Sequence, residues 1–224
     1  MASINPAVIH NVVRYLVNRK VHYLYAIEEL EGDYLEFGVF TGSSFCHSMH
    51  CCRALKKINP NIGQTKFIGF EAFSGFGKFE ENKKHPLYKE TNFDTDYNRV
   101  TRRAKRAAKG LSYNLVSGFF SESLKGGPAH YGINKARIIF LDSDTYGSAD
   151  EALRFCDSIS QIGTYLIVDV YFSYAGREDL GVAAAFRGYL DRTGISVRQV
   201  FTYGLGGTVF VVSAVDAVGV VRED

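Results

Sequence analysis

The sequence predicts a doubly wound α/β fold: a mostly parallel sheet with helices on both faces, ending in an antiparallel hairpin and preceded by an N-terminal helical cap. Three observations carry that prediction. Short apolar runs alternate with helical patterns between residues 34 and 192, which is the pattern of a parallel sheet covered on both faces. The first run turns through two glycines, Gly38 and Gly42, into a helical stretch. The last two runs, 197–203 and 208–213, are separated by Gly204-Leu205-Gly206-Gly207, a turn that makes a hairpin of them.

Taken in order, residues 1–31 read as a cap of two helices, because Ile9, Val12, Val13 and Leu16 recur at helical spacing and Leu24, Ile27 and Leu30 do so again. Residues 34–37 read as the first strand and 43–58 as the helix behind it. Further strands follow at 66–70, 113–117, 137–141 and 164–168. Ser148-Ala149-Asp150-Glu151 has the form of a capping box and opens a helix reaching about residue 160. Another helix runs over 177–192, stopped by Gly194. The segment 74–110 is longer than a crossover needs. Its first half is polar and carries His85-Pro86, and its second half is an amphipathic helix over 97–109. Insertions at the carboxyl ends of strands form lids or substrate loops, so this segment is assigned to a lid or acceptor loop.

With 224 residues and 46% apolar composition, the chain reads as one well-buried domain over 1–224. It has no linker, internal repeat or low-complexity tract. No charged start precedes an apolar run as in a signal peptide, and no stretch approaches the ~20 apolar residues of a membrane span. Cys46, Cys51, Cys52 and Cys156 lack metal-ligand spacing, and a reduced, cytoplasmic protein is expected. The group Cys46, His47, His50, Cys51 and Cys52 reads as core and surface positions of one helix rather than a metal site. A formal net charge of +2 argues neither for nor against nucleic acid; neither a nucleic-acid nor a membrane partner is expected. The helical cap is the place where a homodimer contact is expected.

Ligands bind outside the carboxyl ends of parallel strands. The first strand delivers Gly38-Val39-Phe40-Thr41-Gly42-Ser43-Ser44, where glycine allows close backbone approach and a helix N-terminus offers free N–H groups. The second ends in Phe70-Glu71, a carboxylate able to accept both hydroxyls of a ribose. The fourth ends in Leu141-Asp142-Ser143-Asp144, and alternation would point Asp142 and Asp144 together. The fifth ends in Val168-Asp169. If the fourth and fifth strands are neighbours, about 5 Å apart, Asp142 and Asp169 share one small space. Clustered carboxylates resist joint ionisation, which a hard cation or a retained proton would relieve. His85 and His130 are rivals to Asp142 as a proton acceptor. Arg99, Arg102, Arg103 and Arg106 fall on one face of the 97–109 helix, as a solvated face, a clamp for an anionic acceptor, or an RNA contact that lacks the aromatic-interleaved platform such binding needs. Phe73, Phe76, Phe119 and Phe120 follow the second and third strands, where they could pack on the ring of a bound base, and read equally as ordinary core.

Gly32-Asp33-Tyr34-Leu35-Glu36-Phe37-Gly38-Val39 followed by Gly42-Ser43-Ser44 resembles the first motif of class I methyltransferases that use S-adenosylmethionine. More narrowly, the chain is similar to the macrocin O-methyltransferase (TylF-like) family. Phe70-Glu71-Ala72-Phe73-Ser74-Gly75-Phe76, Ser117-Gly118-Phe119-Phe120 and Asp142-Ser143-Asp144-Thr145-Tyr146-Gly147-Ser148 carry the likeness onward, from about Gly32 to Tyr171.

The resemblance implies a Rossmann-like methyltransferase fold and O-methylation of a small hydroxylated acceptor, such as a natural-product or glycan sugar. It implies that the donor is held by Glu36, Gly38, Phe40, Thr41, Gly42 and Ser44, with Glu71 on its ribose and Phe73, Gly118 and Phe119 near its adenine. It places magnesium on Asp142 and Asp169, although Val170 stands where the family has a further Asp. Asp142 is then the base for the acceptor hydroxyl. Two other readings remain: a metal-independent methyltransferase, including one acting on nitrogen, and a non-catalytic protein that keeps the donor pocket. A dehydrogenase fits less well, because the first turn is Gly-x-x-x-Gly rather than Gly-x-Gly-x-x-Gly.

Overall fold

A computed structural model describes residues 6–75 and 94–215. In chain order they form α1 (Pro6–Ile27), β1 (Asp33–Phe37), α2 (Ser43–Leu55), a 3-10 turn (Pro60–Gln64), β2 (Phe67–Glu71), α3 (Tyr97–Ala108), β3 (Tyr113–Ser117), the short α4 (Phe120–Ser123) and α5 (Gly127–His130), β4 (Ala136–Leu141), α6 (Tyr146–Phe155), β5 (Tyr165–Val168), α7 (Gly181–Thr193), β6 (Ile195–Tyr203) and β7 (Gly207–Val215). The strands make one sheet in the order β3-β2-β1-β4-β5-β7-β6. The first five pair in parallel, and β7 runs antiparallel to both β5 and β6. Strand order reverses between β1 and β4, so the crevice for a ligand opens at their carboxyl ends.

Side-chain alternation builds the two layers. Tyr34, Phe67 and Ile138 face α1, α2 and α3, whereas Leu35, Phe37, Ile68 and Phe70 face α6 and α7. All six residues of β4 are buried, as expected of a central strand covered on both faces. Phe37 and Phe70 stack across neighbouring strands with centroids 5.1 Å apart. Each such fully buried side chain contributes roughly 1.5–3 kcal/mol.

The N-terminal cap differs from the sequence expectation: it is one helix of 22 residues, with no break between the two apolar stripes. Its orientation differs too. Ile9, Val12 and Leu16 are about half exposed, and the face turned to the sheet carries His10, Arg14, Asn18, Val21, His22 and Tyr25. A polar residue every fourth position lies on one helical face, and here that face meets polar partners at the strand ends. Helix α6 opens at Tyr146, two residues before the Ser148 of the expected capping box, because Thr145 is the N-cap and its side chain accepts from the Ser148 N–H. Helix α7 begins at Gly181 rather than residue 177 and stops at Gly194, which adopts φ 66°. The second half of the 74–110 insertion forms α3, with Val100, Ala104, Ala107 and Ala108 buried. His85 and Phe76 lie outside the described residues. All four cysteines are free and buried. No helix of the described residues is long and apolar enough to cross a membrane.

Candidate active site

The loop after β1 is fixed from three sides. Gly38 donates its N–H to the Phe70 carbonyl at 3.0 Å, and Asp142 donates to the Phe37 carbonyl at 2.9 Å. A Cβ on Gly38 would fall 2.1 Å from the Asp142 carbonyl oxygen, and φ is +96°. Glycine is therefore required here by the neighbouring backbone. Gly42, at φ +74°, is closed over by α3, since its Cβ would meet Val100 Cγ1 at 2.9 Å. From the same helix Arg103 donates to the Thr41 carbonyl at 2.5 Å and to Ser43 Oγ at 3.2 Å. Arg103 thus clasps the glycine loop, a role different from both the solvated face and the acceptor clamp expected of it. Arg99, Arg102 and Arg106 are exposed.

Glu71 ties this loop to the turn after β2. One carboxylate oxygen accepts the Phe40 N–H at 2.7 Å and the other accepts the Phe73 N–H at 3.2 Å. Both residues have positive φ, 47° and 60°, and these two bonds help hold that strained backbone. A carboxylate has about four acceptor positions, so each oxygen keeps capacity for a ligand hydroxyl. Beyond β3, Gly118 takes φ +138°, and only Ser123 Cβ, at 3.8 Å, lies near where its own Cβ would be. That leaves a cradle in front of the backbone, flanked by Phe119 at 44% exposure. Phe120 instead packs edge-on against Phe37 in the core.

Under the loop, Glu36 is fully buried. It accepts from Tyr34 Oη and from Ser44 Oγ, each at 2.5 Å. Asn18 donates to Ser48 Oγ at 2.7 Å, and Ser48 donates to the Ser44 carbonyl at 3.0 Å, extending the network to α1. Burial pushes the Glu36 carboxyl up to about 7, against the opposing pull of the Ser44 and Tyr34 bonds and the Arg14 charge. His22, stacked on Tyr34 and bonded to Tyr25, is pushed down to about 3 by its burial.

At the ends of β4 and β5, which are neighbours as anticipated, Asp142 and Asp169 meet a third group absent from the sequence reading. Arg14 Nη1 lies 2.8 Å from Asp142 Oδ2 and 3.4 Å from Asp169 Oδ2. His10 Nε2 sits 3.0 Å from Asp169 Oδ2, and Tyr203 Oη donates to Asp169 Oδ1 at 2.6 Å. His10 Nδ1 also accepts the Leu205 N–H at 3.1 Å, so α1 is joined to the β6–β7 turn. The two acids separate in behaviour. Burial and the Asp169 charge hold the Asp142 carboxyl well above the usual range, with Asp144 adding to the effect. Burial alone would raise Asp169 also, but the His10 bond, the Arg14 charge and the Tyr203 bond bring it below its ordinary value. Asp142 keeps 19% of its side chain exposed and Asp169 only 5%.

The expected site residues therefore fall into two sets. Gly38, Phe40, Thr41, Glu71, Gly118, Phe119 and Asp142 reach solvent along one edge, whereas Glu36, Gly42, Ser44, Phe73 and Asp169 are buried beneath it. Phe73 packs edge-on against Tyr97 of α3, with centroids 5.1 Å apart. His130 lies exposed on α5, against Tyr131. Magnesium on Asp142 and Asp169 does not fit this arrangement. The described residues contain no cluster of three metal-ligating side chains, Asp169 Oδ2 is taken by both His10 and Arg14, and a guanidinium stands between the two acids. The spacing of His10, Arg14 and Asn18 was the available signal for this, outshone by the apolar stripe beside it.

No family model matches the sequence, and neither does any curated protein. Solved structures do match in fold. The chain aligns with the O-methyltransferase NovP at TM-score 0.71 and 17% identity, covering 90% of this chain and 80% of that one. It aligns with the calicheamicin methyltransferase CalS11 at TM-score 0.69 and 16% identity, covering 88% and 77%. An O-methyltransferase from Bacillus cereus, crystallised with SAH, aligns at TM-score 0.58 and 15% identity, covering 89% and 81%. At these identities the likeness is one of fold: the chain has the Rossmann-like fold of class I O-methyltransferases.

Proposed function

We propose that this protein transfers a methyl group from S-adenosylmethionine to a hydroxyl of a small acceptor, a sugar being the class to try first. The observation that carries this reading is the open edge itself. Glu71, with spare acceptor positions, stands beside the glycine loop, and the half-open Asp142 stands one strand away, at the switch point of a sheet shared with O-methyltransferases. CalS11 is described as a TDP-rhamnose 3'-O-methyltransferase, which is why sugars lead the acceptor list.

The donor supplies a methyl group on a positively charged sulfur. The chain's residues bind and aim the two partners. Glu71 accepts the ribose hydroxyls, each charge-assisted bond contributing roughly 1.5–3 kcal/mol. The backbone of residues 38–41 approaches the methionine end, and Phe119 with the Gly118 cradle flanks the adenine. Asp142 accepts the acceptor's proton on Oδ1, while Oδ2 remains on Arg14. The new O–C bond forms as the C–S bond breaks, so the sulfur loses its charge and the carboxylate gains a proton. Holding nucleophile, carbon and sulfur in line supplies much of the acceleration. Burial and the Asp169 charge raise this carboxyl, which makes its ionised form a stronger proton acceptor than an ordinary aspartate.

Calorimetry with S-adenosylhomocysteine tests the donor half of the reading, and a sugar screen then tests transfer. Micromolar binding supports the proposal. Absence of binding in buffers with and without magnesium overturns it.

A further inference from the structure

The acidic pair already contains a cation. Arg14 reaches it from α1 and is held from several directions: Nη1 by Asp142 and Asp169, Nη2 by Asn11 Oδ1 at 2.9 Å, and Cζ 5.9 Å from the Phe140 ring centroid. His10, one turn earlier on the same helix, pins α1 through Asp169 and the Leu205 N–H. Val170 follows Asp169 in the chain and brings no carboxylate to the site.

We propose that Arg14 is the resident counter-ion of the Asp142–Asp169 pair, so that this site neither binds nor needs a divalent cation and orients its acceptor oxygen through a guanidinium. The physical case is substitution of like for like. A divalent cation would bring positive charge to two carboxylates and present it to a substrate oxygen. A guanidinium does both with directed N–H donors, remains charged at every relevant pH, and is delivered covalently by the helix. Two positive groups cannot share so small a space without strong repulsion. The Arg14 and Asp142 side chains keep 15% and 19% exposure, so both can meet a substrate. Only the acceptor-orienting half of this proposal rests on the methyl-transfer reading; the exclusion of metal stands apart from it.

The test uses Mn2+ alone as probe, followed by electron paramagnetic resonance on the full chain. Wild type is expected to show no site tighter than on the order of 1 mM, the weak end of oxygen-ligand sites. Arg14→Ala, which removes the positive charge that Asp142 and Asp169 share, is expected to bind Mn2+ at least tenfold more tightly. The double variant Arg14→Ala/Asp142→Asn should return to wild-type behaviour. If Arg14→Ala does not fold, as judged by circular dichroism, Arg14→Gln serves instead, since it removes the charge and keeps a donor for Asp142. Micromolar Mn2+ binding by wild type that Asp142→Asn abolishes overturns the proposal, and so does a charge-removed variant no better than wild type. These outcomes do not depend on donor binding, so failure of this proposal and failure of the transferase reading are separable. If transfer is found, its rate should be unchanged by chelator and fall at least a hundredfold in Arg14→Ala. A loss of activity in EDTA restored by Mg2+ would also overturn the proposal.

Discussion

Gly38 and Asp142 meet through their backbones: a methyl group on the glycine would lie 2.1 Å from the aspartate's carbonyl oxygen. The glycine loop after β1 and the acid after β4 are therefore packed as one unit at the switch point. Asp142 is placed by this contact and by its N–H bond to Phe37 before any side-chain interaction is considered. A change that spreads β1 from β4 at this end would move the loop and Asp142 together.

Gly38→Ala should accordingly be more damaging than Gly118→Ala. Both positions have positive φ, so both substitutions carry backbone strain of roughly 1–3 kcal/mol. Only Gly38 adds a collision with backbone that has no rotamer to escape into, worth about 1–3 kcal/mol more. Urea unfolding of the two variants checks this. Equal losses would refute the packing argument.

Glu71→Ala is expected to weaken S-adenosylhomocysteine binding by about 10- to 100-fold, the loss of one or two charge-assisted bonds. The carboxylate also holds the Phe40 and Phe73 N–H groups, so part of that loss could come from a loosened loop. Glu71→Gln separates the two causes. Its single carbonyl oxygen can keep one backbone bond, while its amide cannot accept from a ribose. Calorimetry should place Gln close to Ala if the ribose contact dominates, and close to wild type if loop bracing does.

Asp142→Asn should slow methyl transfer by roughly 100- to 10,000-fold, the usual worth of a positioned base. Affinity for S-adenosylhomocysteine should change by less than about threefold, because Glu71 and the loop carry that binding in the proposed arrangement. Rates with an acceptor found by screening, set beside calorimetry, give the comparison. Comparable losses in both would assign Asp142 to donor binding instead.

The strands were legible because each is a short apolar run bounded by turn residues. The predicted 113–117 strand has the same limits as β3, and the others shift by one or two residues. The order of the motifs also gave the switch point and the neighbouring placement of Asp142 and Asp169. What lay beyond reach was the cap's orientation. Ile9, Val12 and Leu16 are the obvious core stripe of α1, yet they face outward because Arg14 and Asn18 find buried polar partners on the other side. Helical periodicity shows that a helix has two faces, and the partners decide which is turned inward. Arg103 was visible as one of four arginines on a face, but only packing distinguishes the one that reaches Thr41 and Ser43 from three that are exposed.

The buried network beneath the loop makes a prediction about pH. Glu36 has its folded value raised from 4.5 to about 7, so the folded protein holds a proton that the unfolded chain releases above 4.5. The stability tied to that proton is fully present below about 4.5 and disappears as pH rises to about 7, a total of about 3 kcal/mol by linkage. His22 acts in the opposite direction. Its folded value is lowered from 6.5 to about 3, so stability is lost as pH falls through that window. Between 4.5 and 6.5 these two contributions have opposite slopes and largely cancel one another. Glu36→Gln removes one of them while keeping an amide that can bond Tyr34 and Ser44. The variant's stability relative to wild type should therefore increase by about 3 kcal/mol between pH 4.5 and 7, exposing the His22 slope of about 1.4 kcal/mol per pH unit. Urea titrations at half-unit intervals would show it. A constant difference across that range would mean that Glu36 is ionised throughout, and that Tyr34 and Ser44 outweigh its burial.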